Sequence, residues 1–212
     1  MSRSEIKNLA KQKIKGNKWN IIWPALVISV ISSVLSSVFG PKIDISNIEN
    51  LQKVTISTGQ YAGSLVIAII MAIIGAGYLK YVLNFARTGK FNTDDIINTI
   101  KEKWLDILIA NILVGLIVGI GMALFVIPGI IAALALAMVD FIIIDKNAKG
   151  SEALKQSHEL MKGHKWEYFV FHLSFIGWYL LLPFTLGILL IWLEPYLAVA
   201  NALYYDNLAK KN

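Results

Sequence analysis

Thirty-three consecutive residues, Ile107 to Val139, carry no charge. As one helix the run would reach about 50 Å, against a hydrocarbon core of about 30 Å. Water cannot hold such a stretch, and a single membrane span cannot use all of it. Pro128-Gly129 lies inside it, and Pro-Gly is a turn dipeptide. The run therefore predicts a hairpin, with one span over about Trp104 to Ile127 and the next over about Gly129 to Asp145. Gly115 and Gly119 form a GxxxG face, with Gly121 nearby, suited to close approach by another helix.

Two more runs, Val54 to Leu79 and Tyr168 to Leu193, exceed the threshold of about 18 apolar residues for a span. The apolar stretch Trp19 to Phe39 has 21 residues, longer than the usual core of a signal peptide, and reads as an uncleaved first span. Only 16% of the chain is charged, where a soluble domain has about 25%. The prediction is an all-α membrane protein, one domain over 1–212. It has six transmembrane helices, at about 19–39, 61–86, 104–127, 129–145, 166–183 and 187–205. Ser29, Ser33 and Ser37, with Ser32 and Ser36, and a row at Ala68, Ala72 and Ala76, supply small residues for helix packing.

Charge sets the orientation. The N-terminus holds six Lys and Arg, residues 87–103 four, 146–165 five and the tail two. Only Lys42 and Lys53 fall on the other side, and Lys80 is intramembrane. The basic side is cytoplasmic by the positive-inside rule. Both termini are therefore expected on the cytoplasmic side of the membrane. The net charge of +6 is read as orientation and lipid contact, not nucleic-acid binding.

The segment Ser151 to Trp166 repeats the N-terminus. At an offset of 147 residues, Ser4, Glu5, Lys15, Gly16, Lys18 and Trp19 meet Ser151, Glu152, Lys162, Gly163, Lys165 and Trp166. A looser copy ends at Lys103-Trp104. Three repeats follow, at 3–86, 92–145 and 150–206. Each is a cytoplasmic interfacial amphipathic helix, a Lys-Trp anchor and a hairpin. Trp prefers the headgroup level and Lys the aqueous edge, so Lys18-Trp19, Lys103-Trp104 and Lys165-Trp166 fix the depth of each hairpin. In the first copy Ile6, Leu9, Ala10 and Ile14 make one apolar stripe, with Ser4 as the expected N-cap and Gly16 as the stop. That helix either lies on the leaflet or packs on neighbouring cytoplasmic segments.

Several motifs resemble a known family. Lys15-Gly16-Asn17-Lys18-Trp19, Ile127-Pro128-Gly129-Ile130, Glu152-Ala153-Leu154-Lys155-Gln156-Ser157 and Met161-Lys162-Gly163-His164-Lys165-Trp166 carry the likeness. So do Leu173-Ser174-Phe175-Ile176-Gly177-Trp178, Thr185-Leu186-Gly187 and Pro195-Tyr196. They resemble a bacterial integral membrane family, common in Gram-positive bacteria, known as domain of unknown function 975. The resemblance covers nearly the whole chain and implies a six-span membrane protein without assigning catalytic residues. It is also distantly similar to the membrane portion of glycerophosphodiester phosphodiesterases, whose catalytic domain this chain lacks.

Polar groups at membrane depth are costly and mark candidate sites. Here they are Lys80, Asn84, Asp106, Asn111, Asp140, His172, Glu194 and Asn201, with Glu194 nearest mid-depth and followed by the kinking Pro195. One reading pairs them between helices, Lys80 with Asp140 or Asp106. The other lines a cavity with them, with Glu194 as a proton or cation site. There is no HExxH, GxSxG or P-loop motif. There is also no cysteine, hence no disulfide or thiolate site. His158 and His164 point to different helix faces, so no metal or cofactor is expected. The sequence reading is a non-enzymatic scaffold, accessory or membrane-stress protein at the cytoplasmic leaflet. Its expected contacts are anionic lipids and a membrane-protein partner or second copy. The alternatives are a small transporter or channel for a lipid, peptide or amphiphile, and an immunity-type protein against membrane-active peptides.

Overall fold

The computed structural model describes residues 1–40, 58–185 and 187–211, and within these the regular structure is entirely helical. Helix α1, Arg3–Ile14, begins at a capping box. The Ser2 hydroxyl accepts from the Glu5 N–H, and the Glu5 carboxylate accepts from the Ser2 N–H at 2.9 Å. The cap is thus Ser2, two residues before the expected Ser4, because only Ser2 has a Glu three positions on. Gly16 then adopts φ +93, which a side chain would strain, and α2, Lys18–Phe39, departs in a new direction.

Helix α3 spans Thr58–Thr88 and α4 spans Asp94–Leu124. The expected separate interfacial helix before Trp104 is absent: α4 runs unbroken through Lys103-Trp104. No glycine stands between Asp95 and Trp104 to play the part of Gly16 or Gly163. The hairpin turn also moves. Phe125 is the extended residue that ends α4, and α5, Val126–Ala135, takes Pro128 into its first turn, where a missing N–H costs nothing. Gly129 serves packing instead: a Cβ there would lie 2.4 Å from Met122 Cγ and 2.8 Å from its backbone nitrogen. Gly115 and Gly119, by contrast, have nothing within 4 Å, so the GxxxG face is unused among the described residues.

After α5 come α6, Val139–Lys146, α7, Gly150–Leu160, and α8, Lys165–Leu173. Then follow α9, Ile176–Leu180, a 3-10 turn at Pro183–Thr185, and α10, Leu190–Ala209. Among the described residues four helical stretches are long and apolar enough to cross a membrane: Lys18–Phe39, Tyr61–Thr88, Asp94–Leu124 and Val126–Lys146, the last made of α5 and α6. The stretch expected as a fifth span breaks at Ser174-Phe175. At 1.5 Å per residue α8 and α9 are only about 14 and 8 Å long.

Burial is concentrated at one end of the bundle. In α3 the deeply buried residues are Ala76, Tyr81, Val82, Leu83, Phe85 and Ala86, near its last turns. In α2 they lie near the start, Ile21 and Ile22, and in α4 they run from the second turn to the middle, Thr99, Ile107 and Ala110. The same layer takes Ile6 and Ala10 of α1, Ile142 and Ile143 of α6, Ala153 and Ser157 of α7, and Val199, Ala200 and Ala202 to Tyr205 of α10. Away from it α2, α3 and α4 present Val30, Val34, Val38, Leu65, Leu116 and Ile120 outward. Apolar side chains in that quantity belong against lipid tails. Ser33 and Ser37 of α2 are exposed too, so their packing role is not met within the described residues. The Ser37 hydroxyl bonds back to the Val34 carbonyl at 2.8 Å.

Two breaks are repaired by hydroxyls from other helices. Pro24 lies inside α2 and has no N–H to give the Asn20 carbonyl; the Tyr81 hydroxyl donates to that carbonyl at 2.5 Å. Between α5 and α6 the chain turns at Leu136 to Met138. There the buried Ser157 hydroxyl donates to the Ala135 carbonyl at 2.9 Å and accepts from the Met138 N–H at 3.2 Å.

Candidate intramembrane cavity

Small residues on α2 and α3 leave room beside α10. Ser29 and Ser32 face Ala72, Gly75 and Ala76, and none has the bulk to close the gap. The result is a cavity of about 750 Å³. Four of the eight candidate polar residues line it: Asp140 from α6, His172 from α8, and Glu194 and Asn201 from α10. Tyr78 and Tyr179 complete the polar wall, and Ile28, Met71, Leu79 and Leu197 are among its apolar residues.

The cavity's polar groups differ in how they are held. Asp140 accepts from the Asn111 amide at 3.1 Å, and the same amide donates to the Ile107 carbonyl at 3.0 Å. Asn201 accepts from the Tyr168 hydroxyl at 3.3 Å, and the Tyr168 ring meets His172 edge-on at 4.5 Å. Glu194 makes no hydrogen bond or ion pair among the described residues. It is thus the acidic group of the cavity wall without a fixed partner, where Asp140 is held by Asn111.

The other candidates do structural work elsewhere. Lys80 bonds neither Asp140 nor Asp106; its ammonium donates to the Ile144 carbonyl at 2.9 Å. The last carbonyls of α6 lack intrahelical donors, and Lys80 supplies one. Asn84 donates to Asp95 at 2.8 Å, tying α3 to the start of α4. Asp106 accepts from the Gly150 N–H at 3.2 Å and so holds the first turn of α7. That approach needs a glycine, since a Cβ on Gly150 would sit 2.6 Å from the Asp106 carbonyl oxygen.

Three residues missed by the sequence reading form a charged knot at the buried end. Arg87 at the end of α3 pairs with both Asp145 of α6 and Asp206 of α10, and the Tyr205 hydroxyl donates to Asp145 at 2.9 Å. Each stands within a few residues of the end of one repeat. A charged residue at that shared position was the signal available.

The Trp residues of the three Lys-Trp pairs are exposed. Trp19 and Trp166 are 74% and 73% exposed, and Trp104 is also exposed. Lys18 lies over the Trp192 ring at 4.8 Å, and Lys165 lines a second cavity with Lys155 and His158. Helix α1 packs along α10 rather than apart from the fold: Tyr196 donates to the Lys7 carbonyl, and the terminal amine of Met1 donates to Asn207 at 3.0 Å. Lys7 donates to the Ser174 carbonyl and hydroxyl and sits 4.5 Å from the Phe175 ring. Burial, then the neighbouring Lys11, holds its ammonium below the usual lysine range.

A family model described as a protein of unknown function, DUF975, matches residues 1–133 and again 122–212. No curated protein matches the chain, and no solved structure does.

Proposed function

Because the chain belongs to the DUF975 family of proteins of unknown function, which lends it no activity, we propose from its geometry that it binds a cationic amphiphile in the cavity at Glu194. The protein acts without catalysis, as a small carrier or receptor in the inner half of the membrane. The observation that carries this reading is a cavity with two carboxylates, Glu194 and Asp140, no lysine or arginine, and apolar walls. A cation with an apolar body matches both features.

The membrane arrangement that goes with it keeps both termini cytoplasmic, with the buried end and its basic residues inside. Four helices cross completely. The α8–α9 stretch and the head of α10 form a re-entrant pair in place of a fifth and sixth span. Supporting this, Lys18 at the inner end of α2 reaches Trp192, the third residue of α10. Irregular backbone at membrane depth is tolerated where it lines a cavity, as α8 to α10 do here. The repeat organisation is supported by Gly16 and Gly163, which share a positive φ, +93 and +79. In both copies the next helix starts two residues later, at Lys18 and Lys165.

The test is binding of tetraphenylphosphonium to the full-length protein in lipid nanodiscs. Saturable binding, lost on Glu194→Gln and reduced on Asp140→Asn, with no binding of the tetraphenylborate anion, is the expected result. Binding that survives the double substitution unchanged would sink the proposal. A second reading, a scaffold at the cytoplasmic leaflet, is favoured by the tight packing of α1 and α7 into the buried end. It predicts a captured partner that is indifferent to Glu194→Gln.

A further inference from the structure

We infer that the junction of α1 and α2 is a binding site for one anionic phospholipid of the inner leaflet. A further cavity, of about 420 Å³, opens there. Its walls include Trp178, Trp192 and Leu193, and its rim is Lys11, Lys15 and Lys18. No acidic residue lines it. None of the three ammoniums has a hydrogen-bonded or ion-paired partner among the described residues. Lys18 rests over Trp192 at 4.8 Å and Lys11 over Tyr196 at 5.9 Å, so the rings hold the cations at the rim without neutralising them. Arg87 shows the contrast: it is matched by two carboxylates and has no charge to offer.

The chemistry that fits is a phosphate diester with an apolar tail. Three free cations attract the headgroup. The half-exposed Trp178 and Trp192 offer the tail an apolar wall. The adjacent Trp19 is largely exposed, as expected of a residue at headgroup depth.

The repeat supplies an independent observation. A cavity of about 520 Å³ occurs at the equivalent junction of the last unit, with Lys155, His158 and Lys165 on Leu136, Ile131 and Pro128. His158 and Lys165 stand 147 residues after Lys11 and Lys18. The wall residues come from different helices in the two cases. What recurs is the basic rim, set by the amphipathic helix and its Lys-Trp junction. The site is separate from the acidic cavity and opposite in charge, so it stands or falls without the proposal made for Glu194.

The test is native mass spectrometry of the full-length protein in detergent, titrated with phosphatidylglycerol or phosphatidylcholine. The expected result is preferential retention of one phosphatidylglycerol, weakened about tenfold or more by Lys11→Gln/Lys15→Gln/Lys18→Gln. Lys15→Gln alone, an exposed change that guards against a folding defect, should shift retention in the same direction. Lys90→Gln/Lys101→Gln should leave it unchanged. Equal retention by the triple variant, or an equal loss in the Lys90/Lys101 control, would overturn the site. Displacement of the lipid by millimolar inorganic phosphate would mark a free-anion site and overturn the assignment to lipid.

Discussion

The Tyr81 hydroxyl of α3 donates at 2.5 Å to the Asn20 carbonyl of α2, the acceptor that Pro24 leaves without a helical donor. A proline in a span costs little when a neighbouring helix satisfies the freed carbonyl. Tyr81→Phe removes that donor and keeps the ring, which is buried against Phe91. The expected loss is about 1–2 kcal/mol in detergent unfolding. Restoring the N–H with Pro24→Ala should make the Tyr81→Phe change nearly neutral.

Ser157 performs a similar repair between α5 and α6, from a fully buried position. Ser157→Ala orphans a carbonyl and an N–H at once. A cost of about 1–3 kcal/mol is expected, read as a lower unfolding midpoint. A midpoint equal to wild type would mean the break is held by packing alone.

Arg87 ties the ends of three helices together. Arg87→Gln takes from Asp145 and Asp206 the cation they share. Breaking a fully buried pair costs about 3–5 kcal/mol. The Arg87 side chain is 34% exposed, so water screens part of this and about 1–3 kcal/mol is expected. A double-mutant cycle with Asp145→Asn should return a coupling energy well above that of a surface pair.

Gly129 and Gly115 should respond oppositely to a methyl group. At Gly129 the new Cβ meets Met122 side chain and backbone, so α4 and α5 must part, at about 1–3 kcal/mol. At Gly115 nothing lies within 4 Å, and alanine also favours the helix. Thermal unfolding of the two variants gives the comparison. If Gly115→Ala instead abolishes a detergent-stable dimer, the unused face belongs to a second copy.

The absence of cysteine makes topology measurable with single introduced thiols. Lys53→Cys should react with an impermeant maleimide added outside intact cells, and Lys90→Cys only after the inner face is opened. Lys53 lies outside the described residues, so this arm rests on charge alone. Phe184→Cys decides the last unit: the residue is 84% exposed in the fold, at the centre of the 3-10 turn. Protection from outside is expected for a re-entrant pair. Labelling as fast as at Lys53 would mean two complete spans.

Helix type and membrane character could be read without a structure, because apolar run length and lysine placement act locally along the chain. The Gly16 break was legible for the same reason, since a glycine between an amphipathic and an apolar stretch ends a helix in place. The absent break before Trp104 is the same rule seen in reverse. The site was half legible. Asp140, His172, Glu194 and Asn201 were chosen by depth, and they meet in one cavity. Lys80, Asn84 and Asp106 were chosen by the same rule and went to helix ends, because orphaned carbonyls, amides and N–H groups there needed partners.

The sequence by itself determined that this chain is helical and carries stretches long and apolar enough to cross a membrane. Those properties sum over residues and need no contacts. Only the tertiary structure decided which polar groups share a cavity, which hydroxyls mend the breaks at Pro24 and Leu136, and which charged ends knot together. Each of these depends on how residues far apart in the chain are placed in space, and no spacing along one helix encodes it.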